Sequence, residues 1–275
     1  MKSEWEKIVN GFNNRWNFPH CIGAIDGKHI TIKSPKNSGS LYYNYKNQFS
    51  IVLLALVDDD YNFTYIDVGS YGSHSDGGIF GKSALQAAIE ENKLDLPENS
   101  VIVGDEAFPL KEYLMKPYPR RVNQCIKEKV FNYRLCRARR IVENAFGILA
   151  TRFRIFSRVI DLEPEKVVKI IKATCAMHNW IRKTASSNHG LTVDHEDVDN
   201  SRFIDGSWRS DTPSQGMVNL ASTREKNFNA GARRRRYAFT DYFMGRGAVE
   251  WQLRMLNFQS APAVSNFDDA EENVD

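Results

Sequence analysis

The stretch "QFSIVLLALVDDDYNFTYIDVGSYG", residues 48–72, carries the strongest fold signal in the chain. Its first half is a nearly continuous apolar run of strand length, and its second half is another strand pattern. Residues 58–62 separate the halves and are rich in Asp and Asn, which favour tight turns. An almost wholly apolar strand is typical of a sheet interior that is covered on both faces. The stretch therefore predicts a β-hairpin whose first strand is central in a layered domain.

Further strand patterns flank this hairpin. Residues 21–32 predict a strand, a turn around Asp26–Lys28 and a second strand, because Asp and Gly favour turns. Residues 101–103 form a short apolar run, and residues 115–122 form a further extended stretch. Strand and helix patterns do not alternate strictly, so the sequence predicts an α/β protein with a mixed sheet.

Helical periodicity dominates the second half of the chain. The clearest helix spans residues 132–157, where six apolar side chains between Ala138 and Phe153 follow the i, i+3, i+4 rule. Residues 163–182 predict a second long helix with Pro164 in its first turn. Helical character returns over residues 223–243.

Composition excludes several classes of protein. Of 275 residues, 42% are hydrophobic and 26% are charged, which is usual for a globular protein. No apolar run predicts a membrane span, and residues 1–12 lack the apolar core of a secretory leader. The four cysteines form no CxxC pair, which argues against a zinc ribbon or a disulfide framework and favours a reducing compartment.

The distribution of polar residues predicts the domain boundaries. Residues 186–215 lack periodicity and are rich in Asp, Ser, Asn and His, which predicts a disordered segment. The chain then divides into four predicted parts: a folded domain at 1–183, a disordered linker at 184–216, a basic helical segment at 217–258 and an acidic disordered tail at 259–275.

Charge is distributed unevenly. Residues 111–183 carry 18 Lys or Arg and 6 Asp or Glu, a local charge of +12, whereas the rest has 19 basic and 28 acidic residues, or −9. Such a region fits either a polyanionic partner or a solvated helix surface, and charge alone does not separate the two. The run Arg233–Arg236 likewise fits a nuclear-localisation signal, a DNA contact or an exposed helix face.

Three carboxylates lie where this fold could bring them together. Asp26 ends a predicted strand, Asp105 follows another, and Glu143 lies on the longest helix. Adjacent carboxylates repel one another, and a divalent cation removes that repulsion. Ligands that are all oxygens select hard cations such as Mg²⁺ or Mn²⁺. Gly147, one turn after Glu143, indicates that something needs room on the same side of the helix.

Each of these residues also has a purely structural interpretation. Asp26 and Asp105 each adjoin a glycine, and Asp–Gly pairs are common in turns. Glu143 could pair with Arg139 or Arg140 on an exposed helix. Taken one by one, the residues leave both interpretations open.

Six segments in a fixed order decide between them: WNFPHCIGAIDGKHI (16–30), NQFSIVLLALVD (47–58), GSHSDGGIF (72–80), GDEAFPLKEYLMKPYP (104–119), RRIVENAFGILATRFRIF (139–156) and CAMHNWIR (175–182). Together they resemble the PIF/Harbinger superfamily of DDE transposases and the nucleases domesticated from it. Residues 233–252 show a weaker resemblance to the C-terminal end of that family.

This resemblance implies an RNase H-like fold, with a five-stranded mixed sheet in the order 3-2-1-4-5 flanked by helices. It implies that Asp26, Asp105 and Glu143 are the catalytic residues and the ligands of two divalent ions, Mg²⁺ or Mn²⁺. The implied reaction is hydrolysis of DNA phosphodiester bonds, with strand transfer as a further activity. The alternative is a catalytically inactive DNA-binding or protein-interaction module that keeps the fold.

The resemblance also implies partners. Members of the family resemble two-component systems in which a Myb-like protein binds DNA and delivers the complex to the nucleus, so we expect such a partner and nuclear localisation, with the cytoplasm as a second location. Relatives carry a helical DNA-binding region ahead of the WNFP motif, so either this sequence is a shortened copy or a partner supplies recognition. The basic residues near Glu143 add four candidate contacts to DNA phosphates: Arg139, Arg140, Arg152 and Arg154.

Overall fold

The computed structural model describes residues 2–73, 76–184, 192–210, 216–219 and 229–260. Its strands are β1 (Cys21–Thr31), β2 (Ser50–Val57), β3 (Phe63–Tyr71), β4 (Val101–Val103), β5 (Leu114–Met115), β6 (His195–Asp197), β7 (Arg202–Ile204) and β8 (Met217–Asn219). Its helices are α1 (Lys2–Trp16), α2 (Asp76–Phe80), α3 (Ala84–Glu90), α4 (Ile126–Arg152), α5 (Pro164–Thr184), α6 (Ala230–Met244) and α7 (Gln252–Ser260). In these ranges no helix is both long and apolar enough to cross a membrane.

The central sheet has the predicted mixed order β3-β2-β1-β4-β5. β1, β2 and β3 form an antiparallel meander, and β4 and β5 join it in parallel. The predicted hairpin is confirmed, and Asp58 closes its turn by accepting the backbone N–H groups of Asp60 and Asn62. Every residue of β2 is buried, because this strand lies inside the sheet with both faces covered.

The predicted turn at Asp26–Lys28 is wrong. β1 runs without interruption, and Asp26 and Gly27 pair with Ala55 and Leu54 of β2. Continuous pairing with a wholly apolar neighbour outweighs the local turn preference of Asp and Gly. Asp26 therefore lies inside a strand with 5% of its surface exposed, and not at a strand end. Of the extended stretch predicted at 115–122, only Met115 lies in a strand, as the second residue of β5.

Residues 192–210 are folded, so the prediction of a disordered linker is wrong for this part of 184–216. β6 and β7 form an antiparallel hairpin, and Asp194 ahead of it is fully buried. Asn144 of α4 exchanges two hydrogen bonds with the backbone of Asp194, at 3.0 and 3.2 Å. Polar contacts with α4 order the segment, and its composition does not reveal them. Residues 185–191 and 211–215 lie outside the described residues.

β8 also departs from the predicted boundaries. Its three residues fall in the predicted helical segment, yet they pair antiparallel with Lys28–Ile30 of β1. β4 pairs with Cys21–Ala24 of the same strand. Because β2 occupies the opposite edge of β1, β4 and β8 follow one another along one side of it, and Asp26 lies between the two paired segments.

Helix α4 covers one face of the sheet. It begins at Ile126, earlier than predicted, and its predicted apolar stripe is buried from Ala138 to Leu149, whereas Phe153 lies just beyond the helix and is half-buried. The stripe packs against β1, β2 and β4 residues of one face, among them Ala24, Leu53 and Val103. Asp26 has the same parity along β1 as Ala24, so its side chain lies on the face that α4 covers.

Helix α6 packs against α4 and carries the run Arg233–Arg236. Arg236 is buried, and its guanidinium lies 3.9 Å from the centre of the Tyr118 ring. Only Arg233 and Arg234 of the run are exposed, so its predicted role as a localisation or DNA-contact patch depends on these two. Residues 223–228 of the predicted helix and 261–275 of the predicted tail lie outside the described residues.

Candidate active site

Asp26 and Asp105 are brought side by side by the parallel pairing of β1 and β4. Ala24 pairs with Val103, the last residue of β4, and Asp105 follows that strand two residues later. The two carboxylates are close enough for the charge of Asp26 to raise the pKa of Asp105. The two-residue period of β1 directs the Asp26 carboxylate to the face that α4 covers, and Asp105, like Asp26, acts on the charge of Arg139 in α4. The structure thus brings these two acids together as the sequence predicted, whereas their roles stay a prediction.

Glu143 reaches the same place from α4. The guanidinium of Arg139, one turn earlier, lies 2.6 Å from the Glu143 carboxylate. Burial opposes the charge of Arg139, but Glu143, Asp26, Cys136 and Asp105, in that order of effect, together outweigh burial and raise the pKa of its guanidinium. All three acids therefore act on one arginine, which marks the centre of the site.

Lys28 supplies a second cation. Its Nζ lies 2.8 Å from Asp26 Oδ2 and also donates to the side chain of Asn219 in β8. The same ammonium lies 5.3 Å from the ring centre of Phe146 on α4. Sequence reasoning missed both Lys28 and Asn219. The spacing of two residues from Asp26 could have revealed Lys28, whereas Asn219 depends on the pairing of β8.

Asp105 occupies an unfavourable environment for a negative charge. Burial, followed by the charge of Asp26, raises the pKa of its carboxyl above the ordinary value. The Ala107 N–H donates to Asp105 Oδ1 at 2.9 Å and opposes that shift, as do the charges of Arg139 and Lys28. These groups do not fully offset burial and the charge of Asp26, and an additional cation beside the two acids would lower the pKa of Asp105.

The three acids fit a hard divalent cation by their chemistry, because they offer only carboxylate oxygens. Within the described residues, however, no three Asp, Glu, His or Cys side chains are arranged to hold one ion. Lys28 and Arg139 hold Asp26 and Glu143 in ion pairs instead. Ligation by all three acids requires these two long side chains to rotate away from their carboxylates.

The four arginines predicted to contact DNA have different environments. Arg139 faces the acids, whereas Arg140 lies 2.9 Å from Glu196 of β6 with 11% of its side chain exposed. The structure makes Arg140 an internal partner of Glu196 and takes it away from a phosphate-binding surface. Arg152 is half-buried and Arg154 is exposed. Arg152 lies about 13 Å along the helix from Glu143.

Glu196 is a buried carboxylate that sequence reasoning missed. Its side chain is 1% exposed and accepts hydrogen bonds from Arg137 and Arg140, each at 2.9 Å, and from the Tyr133 hydroxyl at 2.7 Å. The donors follow one another at i, i+4 and i+7 on α4. That spacing could have indicated a shared acidic partner, but it does not indicate which acid.

Gly147 leaves room for Trp208. A Cβ at position 147 would lie 2.3 Å from a ring atom of Trp208, whose indole N–H donates to Asn144 Oδ1 at 2.9 Å. The prediction that something needs this space is confirmed, and the occupant is the folded segment 192–210. This segment therefore packs against α4 within about one turn of Glu143.

The sequence profile of the family described as "DDE superfamily endonuclease" matches residues 25–179, a range that contains Asp26, Asp105 and Glu143. This chain belongs to that family. No solved structure matches the chain.

Two curated relatives indicate which type of family member this chain resembles. "Protein ALP1-like" of Arabidopsis thaliana is 30% identical over 194 residues, which cover 66% of this chain and 46% of the relative. "Putative nuclease HARBI1" of Mus musculus is 29% identical over 195 residues, which cover 68% and 52%. The chain thus spans about half the length of the curated relatives that it matches. Family and relatives together identify a Harbinger-type, transposase-derived member, as the six motifs indicated.

Proposed function

We propose that this chain is a divalent-metal-dependent DNA endonuclease with an RNase H-like fold, in which Asp26, Asp105 and Glu143 are the catalytic residues. The observation that carries the proposal is the convergence of these acids on one sheet face beneath α4, around Arg139. The family match supports nuclease chemistry, and the sheet order supports the fold.

Asp26, Asp105 and Glu143 would hold two Mg²⁺ or Mn²⁺ ions, which when bound activate a water or a 3′-hydroxyl and stabilise the leaving oxygen. In the structure, Lys28 pairs with Asp26 and Arg139 pairs with Glu143. In the working site the side chains of Lys28 and Arg139 turn to the DNA phosphate and orient the scissile bond. Attack by a 3′-hydroxyl in place of water would give strand transfer at the same site.

Recognition of a particular DNA sequence is proposed to come from a Myb-like partner in the nucleus. Arg139 and the exposed Arg154 would contact backbone phosphates, and such contacts carry no sequence information. The chain itself would then bind DNA of any sequence with an affinity that falls steeply with salt.

The ion pairs favour one alternative. Lys28 and Arg139 balance the charge of Asp26 and Glu143 without any metal, as they would in a site that no longer cleaves. The alternative function is therefore a DNA-binding or protein-interaction module that keeps the fold.

Cleavage of end-labelled DNA by the purified chain separates the two functions. We expect products with Mg²⁺ or Mn²⁺ and none with EDTA, and Asp26→Asn should abolish cleavage while DNA binding persists. Glu106→Gln is the matched control, because Glu106 adjoins Asp105 but is exposed, and it should cleave normally. DNA binding without cleavage in either metal would establish the inactive module.

A further inference from the structure

The connection between β1 and β2 carries an exposed aromatic cluster in an acid-free part of the chain. Residues 27–57 contain four lysines and no Asp or Glu. Lys28 and Lys33 pair with Asp26 and Asp161, which lie outside this range, so the charge argument rests on Lys36 and Lys46. Within residues 27–57, Leu41, Tyr43 and Tyr45 are 51%, 41% and 52% exposed. Exposed aromatic side chains among lysines are typical of surfaces that bind single-stranded nucleic acid by stacking and by charge.

Hydrogen bonds of the buried Asn44 side chain stabilise the turn that presents Tyr45. Asn44 is buried, and its side-chain oxygen accepts the backbone N–H groups of Lys46 and Gln48, at 2.9 and 3.1 Å. Its side-chain amide donates to Ser50 of β2 at 3.0 Å. A turn tied to the central sheet in this way presents Tyr45 in a fixed position, which lowers the entropy lost on binding.

Tyr45 lies at the rim of the candidate active site. Its hydroxyl donates to the backbone oxygen of Asn219 at 2.9 Å. The side chain of Asn219 accepts a hydrogen bond from Lys28, which lies 2.8 Å from Asp26. A continuous chain of hydrogen bonds thus links the exposed ring to the candidate catalytic carboxylate. The ammonium of Lys46 lies 5.8 Å from the centre of the Tyr45 ring.

We propose that Tyr45, together with Tyr43 and Lys46, binds an unpaired nucleotide of a DNA strand beside the cleavage site. The Tyr45 ring stacks on the base, and Lys46 contacts a neighbouring phosphate. This inference rests on the proposed nuclease function, which places the scissile bond at the three acids. It adds that the substrate is DNA with single-stranded nucleotides next to that bond. Stacking accepts any base, so this site adds affinity without sequence preference.

Fluorescence anisotropy with a labelled single-stranded oligonucleotide of mixed sequence, in EDTA, tests the proposal. Tyr45→Ala should weaken binding by about 5- to 150-fold, the range that corresponds to the loss of one stacked base. Tyr45→Trp, which keeps a stacking surface, should bind nearly as the unaltered chain does. The duplex of the same sequence should bind both variants with unchanged affinity.

Tyr237→Ala is the matched control, since Tyr237 on α6 is a tyrosine of similar exposure, at 57%. It should leave single-strand binding unchanged. An equal loss in Tyr45→Ala and Tyr237→Ala would reveal unspecific adsorption to aromatic side chains and would overturn the proposal. Unchanged single-strand affinity in Tyr45→Ala would overturn it as well.

Photocrosslinking of the unaltered chain gives a readout that does not depend on a variant. A single strand containing 5-iododeoxyuridine should crosslink to the peptide that holds Tyr43 and Tyr45, and crosslinks confined to other peptides would overturn the proposal. Because both measurements are made without metal, they do not depend on cleavage. A chain that cuts DNA but fails them keeps the nuclease function, and a chain that passes them without cutting keeps the stacking site.

Discussion

Two neighbouring arginines of α4, Arg139 and Arg140, differ in their ion-pair partners and in their burial. Arg139 pairs with Glu143 four residues further along the same helix, and these side chains remain 20% and 32% exposed. Arg140 pairs with Glu196 from the hairpin β6–β7, and these side chains are 11% and 1% exposed. The sequence RR at 139–140 does not distinguish them, whereas their partners and their burial do.

The comparison separates an exchangeable ion pair from a structural one. Glu196 is desolvated and already accepts hydrogen bonds from Arg137, Arg140 and Tyr133, so it is not free to bind a substrate or a metal. Glu143 has its ion pair within one helix and beside two further acids. A single partly exposed pair of this kind is weak and can be replaced by a divalent ion. Function is therefore expected on the side of Glu143, and stability on the side of Glu196.

Glu143→Gln tests the functional half of this contrast and should have the largest effect. We expect cleavage to fall by at least about 10³-fold, because loss of a group that acts at the reacting atoms has an effect of this order. The free energy of unfolding should stay within about 0.5 kcal/mol of the original, since the lost pair is a partly exposed i, i+4 contact within one helix. Single-turnover cleavage and urea unfolding of the same preparation measure the two quantities, and full activity in this variant would remove Glu143 from the site.

Glu196→Gln should do the reverse. Two largely buried guanidinium groups would lose their charged partner, which should lower the free energy of unfolding by about 3–5 kcal/mol. Asp199→Asn, a change of an exposed acid in the same segment, serves as the control and should have almost no effect in urea unfolding. If Glu196→Gln were as stable as this control, the hairpin would not be fastened to α4 as described.

Gly147→Ala tests the packing of segment 192–210 against α4 by adding a methyl group at the contact. The added methyl group would meet the Trp208 ring at 2.3 Å, so we expect a loss of about 1–3 kcal/mol from overpacking. In a Trp208→Ala background the penalty should disappear, because the space is then free. Urea unfolding of the four chains of this double-mutant cycle gives the coupling, and additive effects would contradict the packing.

The smallest expected effect separates the two arginines themselves. Arg139→Ala should reduce the log–log salt slope of duplex binding by about 0.9, the value for one phosphate contact, whereas Arg140→Ala should leave the slope unchanged. Binding titrations at several salt concentrations measure it. Equal changes in both variants would show that α4 presents both residues to DNA.

Local pattern and motif order predicted the part of this fold that is continuous in sequence. The hairpin of residues 48–72, the strand Val101–Val103, the sheet order and the stripe of α4 all have short-range signals or follow from the family resemblance. The turn at Asp26–Lys28 was wrong because the ladder to β2, a non-local contact, decides the conformation of β1 there.

The other errors have the same physical origin. Residues 192–210 fold because Glu196 and Trp208 find partners on α4 about 50 to 70 residues earlier in the chain, and composition carries no record of such contacts. For the same reason Arg140 was expected to contact DNA. Asp26, Asp105 and Glu143 could be proposed from sequence because each lies in a motif of the family, whereas Lys28 and Asn219 meet only through the pairing of β8 with β1.

Anomalous diffraction from crystals grown in Mn²⁺ locates a bound metal without reference to activity, and so tests whether Asp26, Asp105 and Glu143 bind it. The account predicts an anomalous peak ligated by oxygens of Asp26, Asp105 and Glu143 at about 2.1 to 2.2 Å, with Lys28 and Arg139 turned away from these carboxylates. A peak at any other place, or saturating Mn²⁺ with both ion pairs intact and no peak at Asp26, would contradict it.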